Sequence, residues 1–408
     1  MIAPASRFRG ALAITLLGVA AACRGQSPRQ AEETVLRQLV DSLRGRVEQA
    51  ASLKFRTPPR SALRSRDQVR RYLLAKLDQE LPPERMRGLE TAYRLFGLLP
   101  DTLELRGLLL DLYAEQVAGY YDPDSAMLFG VAGAGRDELR LVLAHEMVHA
   151  LQGEYLPLDS ILKATANNDR LTAAQAVLEG QATLVSIEVL APGQHVTETP
   201  QFWEMYRDQV REKQSLMPVF ARAPLVVREA LIFPYLDGAE FMYWWSTSGP
   251  RDTMPYGRRM PVSTEQILHP ERYARGDEPV DLAFTADSGV LYEDVLGENE
   301  VRVLLAALAR SDEVGAVIPL GWGGDRFRVY QAPTGPALVW YVVWDDQRAA
   351  DRFARTAGPA LGRTKRPGYR AQLDTLTVEG RPAVRYVLAP EQWARWRALP
   401  PVSVVKGS

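Results

Sequence analysis

The chain has 408 residues, 46% of them hydrophobic, 24% charged and 9% aromatic, the values of a folded protein with two or three compact units; collagen-like, low-complexity and wholly disordered chains are excluded. The net charge is −1, only six of the 49 basic residues are lysine and the arginines are scattered, so nothing here forms the basic stripe that a nucleic acid partner needs. A single cysteine excludes a disulfide within the chain.

That residue, Cys23, closes a segment that opens with Arg7 and Arg9 and continues as an apolar run from Ala11 to Ala22. The run is about half the roughly 20 residues of a membrane-crossing helix, so residues 1–22 read as a secretory signal. Val19-Ala20-Ala21-Ala22-Cys23 resembles a bacterial lipobox, with Ala20 where a larger aliphatic residue is preferred. The expectation is an exported lipoprotein, anchored to a membrane through a lipid on Cys23 and facing the periplasm or the cell exterior. A cleaved signal with an incidental cysteine is the alternative.

Residues 23–110 read as a charged helical region. Segments 31–53, 66–81 and 83–99 carry apolar residues at three- and four-residue spacing, with breaks at Pro58-Pro59, Pro82-Pro83 and Pro100. This region carries no chemistry; it packs on the next domain or spaces that domain from the membrane. Gln116 to Gly130 reads as two short extended runs around Asp122-Pro123-Asp124-Ser125. Gly130, Gly133 and Gly135 form a connection and not a phosphate loop, because no Lys-Ser or Lys-Thr comes after them.

His145-Glu146-Met147-Val148-His149 falls within a run of helix character, Asp137 to Gln152, with Asp137 and Glu138 suited to its first turn. Histidines four apart on a helix share a face and reach one metal ion, with Glu146 placed to hold the metal's water without ligating. The helix is apolar outside the stripe of His145, His149 and Gln152, and unpartnered histidines buried there would be costly. A Zn2+ site of this kind takes three protein ligands and leaves a fourth position open. Leu171 to Leu190 supplies the third from a second apolar helix, whose polar stripe is Thr172, Gln175, Glu179, Thr183 and Ser186; Glu179 stands mid-stripe, 30 residues after His149.

The chemistry implied is hydrolysis of a peptide or protein substrate, with zinc activating water and polarising the carbonyl and Glu146 moving the proton. An oxyanion donor is also needed; the candidates are His269, Tyr235, Tyr256 and Tyr273. His269 reads equally as a loop residue locking the turn at Ser263 to Gln266 before Pro270. His195 reads as exposed. Phe233, Tyr235, Phe241, Tyr243, Trp244 and Trp245 read as core in preference to a pocket lining. Beyond residue 276 come a helix at 301–308, a turn at Gly321 to Asp325, strands at 327–331 and 337–344, a helix from Asp345 through Phe353, and a hairpin of 369–376 with 383–388. This β-β-α-β-β order suggests a small α+β module, without His or Cys for a second transition-metal site.

H-E-x-x-H followed on a second helix by Glu179-Gly180-Gln181-Ala182 resembles the glutamate-liganded zincin metallopeptidases. More closely, Val117 to Pro123, Leu143 to Gln152, Leu178 to Thr183, Ser263 to Tyr273 and Gly321 to Arg326 are together similar to a group of uncharacterised, exported bacterial and archaeal metallopeptidase-like proteins. The resemblance implies a zincin fold and a zinc site, and no particular substrate. Many better-studied relatives have an aspartate one turn after the glutamate ligand, as partner of a zinc histidine; this chain has Thr183 there, the candidate for that place. The expected fold is α+β: a mainly helical zincin-like catalytic domain with a short β-sheet over residues 111–275, and a small C-terminal α+β module over 276–408. An inactive zincin scaffold serving binding or envelope assembly is the alternative to a zinc peptidase.

Overall fold

Helix α1 (Pro28–Ala51) turns Leu36, Leu39, Val40, Leu43 and Val47 to one side, and all five are buried. The structure, a computed structural model, describes residues 28–158, 161, 167–199, 201–250, 253–362 and 366–405. The signal segment and Cys23 lie outside the described residues. After Pro58-Pro59 the chain forms a strand that was not expected, β1 (Arg60–Arg64), in the gap between the expected helices at 31–53 and 66–81. Two prolines hold the backbone extended, and β1 finds its hydrogen bonds in parallel pairing with β3, from Arg60 opposite Met127 to Arg64 opposite Val131.

Helix α2 (Arg66–Glu80) opens on a capping box of Ser65 and Gln68. Helix α3 (Pro83–Phe96) starts with proline at its first position and stops at Gly97, which takes a left-handed conformation. Helix α4 (Leu105–Gln116) leads to the expected hairpin of β2 (Gly119–Asp122) and β3 (Met127–Val131), so that the sheet has the order β1-β3-β2 with β2 on its outside. Then come α5 (Arg136–Tyr155), carrying H-E-x-x-H, and α6 (Asn168–Leu190), carrying Glu179. Helices α7 (Phe202–Ser215), α8 (Pro218–Arg222), α9 (Leu225–Ser248), α10 (Thr264–Leu268) and α11 (Pro270–Arg275) complete the helical part.

The apolar side of α1 packs on Leu139, Leu143, Met147, Val148 and Leu151 of α5 and on Val185 and Val189 of α6. On its other side α6 crosses α9 at two glycines. A Cβ at Gly180 would fall 2.2 Å from the Gly238 carbonyl oxygen, and one at Gly238 would fall 2.2 Å from that of Ala176. Only glycine at both positions lets the two backbones come this close.

The remainder comprises β4 (Leu282–Phe284), β5 (Val290–Asp294), α12 (Gly297–Ala309), α13 (Asp312–Val317), β6 (Trp322–Tyr330), β7 (Ala337–Trp344), α14 (Gln347–Leu361), β8 (Tyr369–Val378), β9 (Arg381–Pro390) and β10 (Val402–Val404). Five strands form an antiparallel sheet of order β5-β6-β7-β9-β8, in which the expected β-β-α-β-β run is β6, β7, α14, β8 and β9. All of β7 is buried, as its unbroken apolar sequence requires. One face of the sheet, with Trp340, Val342 and Trp344, joins Phe353 of α14 and Phe96 of α3 in a core that continues through α8, α9 and α12. This core crosses residue 276, so the helical part and the sheet share one interior. The fold is α+β, and no described helix is long and apolar enough to cross a membrane.

Candidate metal centre

Helix α5 follows Gly135 with Asp137 and Glu138 in its first turn, where carboxylates suit the helix dipole. Leu143, Ala144, Met147 and Val148 are buried on one side, which turns His145, Glu146 and His149, each half-buried, away from it. Helix α6 is capped by the Asn167 side chain, which accepts the Arg170 amide at 2.9 Å. Its close crossing with α9 sets the height of Glu179, next to Gly180.

The two helices bring the three expected ligands together. Glu179 Oε2 lies 3.0 Å from His145 Nε2 and 3.2 Å from His149 Nε2, and the two imidazole nitrogens are 3.1 Å apart. Among the described residues this is the one set of three His, Cys, Asp or Glu side chains with ligand atoms all within 4.8 Å. Bonds of about 2.0–2.1 Å to a tetrahedral zinc ion give ligand separations of about 3.3 Å, so the triangle of donors has the size that zinc would require.

The electrostatics agree. Burial alone would raise the Glu179 carboxyl, but His149 and His145 hold it well below the ordinary carboxylate range. Burial alone would lower His149, but the Glu179 charge and hydrogen bond push it up to about 10. The two shifts have one cause, imidazole nitrogens facing a carboxylate oxygen at 3.0 and 3.2 Å.

Glu146 sits beside the triangle. Its Oε2 accepts the Tyr121 amide of the outer strand β2 at 2.9 Å, and burial raises its pKa against the pull of the two histidines. Of the three tyrosines considered as donors, Tyr235 is at the site, with its ring 5.6 Å from that of His145. The Glu179 charge, then burial and the Glu146 charge, raise its hydroxyl well above the ordinary phenol value. Tyr256 instead donates to Gln181, and Tyr273 to the Arg259 carbonyl at 2.8 Å. The aromatic run of α9 thus divides: Phe233, Phe241 and Trp245 are core, while Tyr235 remains 37% exposed over the histidines.

Two expected residues lie elsewhere. The Nε2 of His269 is bonded to buried Glu298 at 2.9 Å, at the junction of α10 and α11, and none of its contacts reaches the three ligands. Its role is to close the Ser263 to Gln266 turn onto α12. Thr183 is buried with its hydroxyl on Tyr206 of α7. The partner of His149 is Gln152, whose Oε1 lies 2.8 Å from Nδ1; its place on the stripe with both histidines was the signal for it. His195 is exposed, as expected, next to Glu198.

Residues 288–396 match a family described as a domain of unknown function, DUF8575. That span runs from the loop before β5 past β9 and begins after both α5 and α6. No curated protein matches the chain. A solved structure from Chloroflexus aurantiacus, provisionally assigned as a hydrolase with a novel fold, aligns with 62% of this chain and 92% of its own at 17% identity and a TM-score of 0.40.

Proposed function

We propose that this protein is a zinc-dependent peptidase of the glutamate-liganded zincin type, with His145, His149 and Glu179 as ligands and Glu146 as general base. The observation that carries the reading is the convergence of three donors 3.0–3.2 Å apart on two helices, with a further carboxylate beside them. Bound there, zinc would supply a Lewis acid and acidify water to near neutrality.

The protein's own groups divide the remaining work. Glu146, steered by the Tyr121 amide, takes a proton from the attacking water and passes it to the leaving amine. Tyr235, held in its protonated form, donates to the oxygen that gains charge as the carbonyl is attacked. The apolar sides of α5 and α6 keep the ligands rigid and exclude water from behind them. The reading places the protein outside the cytoplasm, tethered through Cys23, on the strength of the signal-like segment and lipobox.

A peptide-library digest with and without chelator tests the assignment. Wild-type protein is expected to cleave only with zinc present; Glu146→Gln to keep zinc and lose cleavage; Tyr235→Phe to keep zinc and KM while kcat falls by roughly 10²–10³. Unchanged turnover in Glu146→Gln would remove the base and with it the mechanism.

A further inference from the structure

The imidazole of His149 is held at both nitrogens. Nε2 faces Glu179, and Nδ1 meets Gln152 Oε1 at 2.8 Å. An amide oxygen can only accept, so Nδ1 must carry a hydrogen. With one hydrogen on the ring, Nε2 then presents its lone pair to the centre.

The Gln152 amide is fixed in this orientation. Its nitrogen donates to the Leu178 carbonyl at 2.9 Å and to Gln181 Oε1 at 2.8 Å. Turning the amide over would set its oxygen against a main-chain carbonyl oxygen that cannot turn, and its nitrogen against Nδ1–H. Gln181 Oε1 also accepts the Tyr256 hydroxyl, and both glutamines are only 2% exposed. One neutral side chain therefore reaches from the second histidine ligand on α5 to the carbonyl immediately before the glutamate ligand on α6.

We propose that Gln152 is a positioning residue for the metal centre: it fixes His149 in the Nδ1–H tautomer, and through Leu178 and Gln181 it locks the two ligand-bearing helices in register. The proposal rests on the zinc reading above. Thr183, one turn beyond Glu179, has no part in it. A buried partner of this kind typically accounts for about 10–100-fold in metal affinity.

The test is zinc affinity, measured by chelator competition on the full chain, together with the melting temperature of each metal-free protein. Gln152→Met, close in shape but without the amide, is expected to weaken zinc binding about 10–100-fold. Gln152→Glu keeps an acceptor for Nδ1–H but loses the donor to Leu178 and Gln181, so it should recover only part of that loss, and Thr183→Val should bind as wild type does. A purely structural role would lower the metal-free melting temperature and leave zinc affinity alone. Zinc affinity in Gln152→Met within about two-fold of wild type overturns the proposal. Should Gln152→Met fail to fold, nitrogen-15 NMR of zinc-loaded wild type decides, because a His149 Nδ1 without a bonded proton also overturns it. Wild-type protein that binds no zinc sinks both this and the peptidase reading, whereas unchanged affinity in Gln152→Met sinks this alone.

Discussion

Asp169, in the first turn of α6, lies buried beneath the start of α12. Its Oδ1 accepts the Thr264 amide at 2.9 Å and the Thr264 hydroxyl at 2.5 Å. Gly297 leaves room for it: a Cβ there, at φ 75°, would fall 1.9 Å from the same oxygen. Asp325 accepts the Leu296 and Gly297 amides, and Glu300 accepts Tyr93 and Asn168. Burial raises Asp169 to about 7, Glu300 to about 8, Asp325 to about 6 and Glu265 to about 9. Proton counting sets the sign. Below about pH 4 folded and unfolded chains both hold these protons; between there and the raised values only the folded chain does, so stability falls as pH rises. Each group adds at most about 1.4 kcal/mol per pH unit within its window. The melting temperature is expected to drop from pH 5 to pH 9, and Asp169→Asn, which keeps an acceptor for Thr264, to flatten the drop between about pH 4 and pH 7. An equally steep fall in that variant contradicts the assignment.

Among the elements, α5 and α6 were legible because a narrow polar stripe on an otherwise apolar helix marks a face, and both faces carried ligand-type residues. The hairpin at 119–131 and the β-β-α-β-β run were legible from turn residues and apolar strands. Strand β1 was not, since its five residues acquire hydrogen bonds only by pairing with β3, more than sixty residues later. A stripe also does not say which neighbour will answer a histidine. Gln152, three residues on from His149, has the reach, whereas the short Thr183 hydroxyl turns to Tyr206. His269 misled because its partner Glu298 comes from a distant helix. Glu179-Gly180 gains a physical reason: glycine permits the crossing of α6 on α9 that places Glu179 and Tyr235 at one centre. Gly180→Ala must part the two backbones, costing about 1–3 kcal/mol or more and lowering zinc content. Gly45→Ala, with open space around its Cβ in α1, should gain about 0.5–1 kcal/mol and leave zinc unchanged. Calorimetry with metal analysis checks both, and Gly180→Ala at wild-type stability and zinc content would refute the role of the glycine crossing.

At the scale of the molecule, α5 and α6 stand between two supports. Helix α1 packs on α5 and α6 from one side, and α9 ties α6 to the core that runs into the five-stranded sheet. The centre is therefore built from long-range packing on both flanks of a short motif. Diffraction from zinc-loaded crystals of the full chain, collected at the zinc absorption edge, addresses this assembly most directly. One anomalous peak is expected, about 2.0–2.2 Å from His145 Nε2, His149 Nε2 and a Glu179 oxygen. A zinc peak held by other residues, or none between α5 and α6, would contradict the proposed centre.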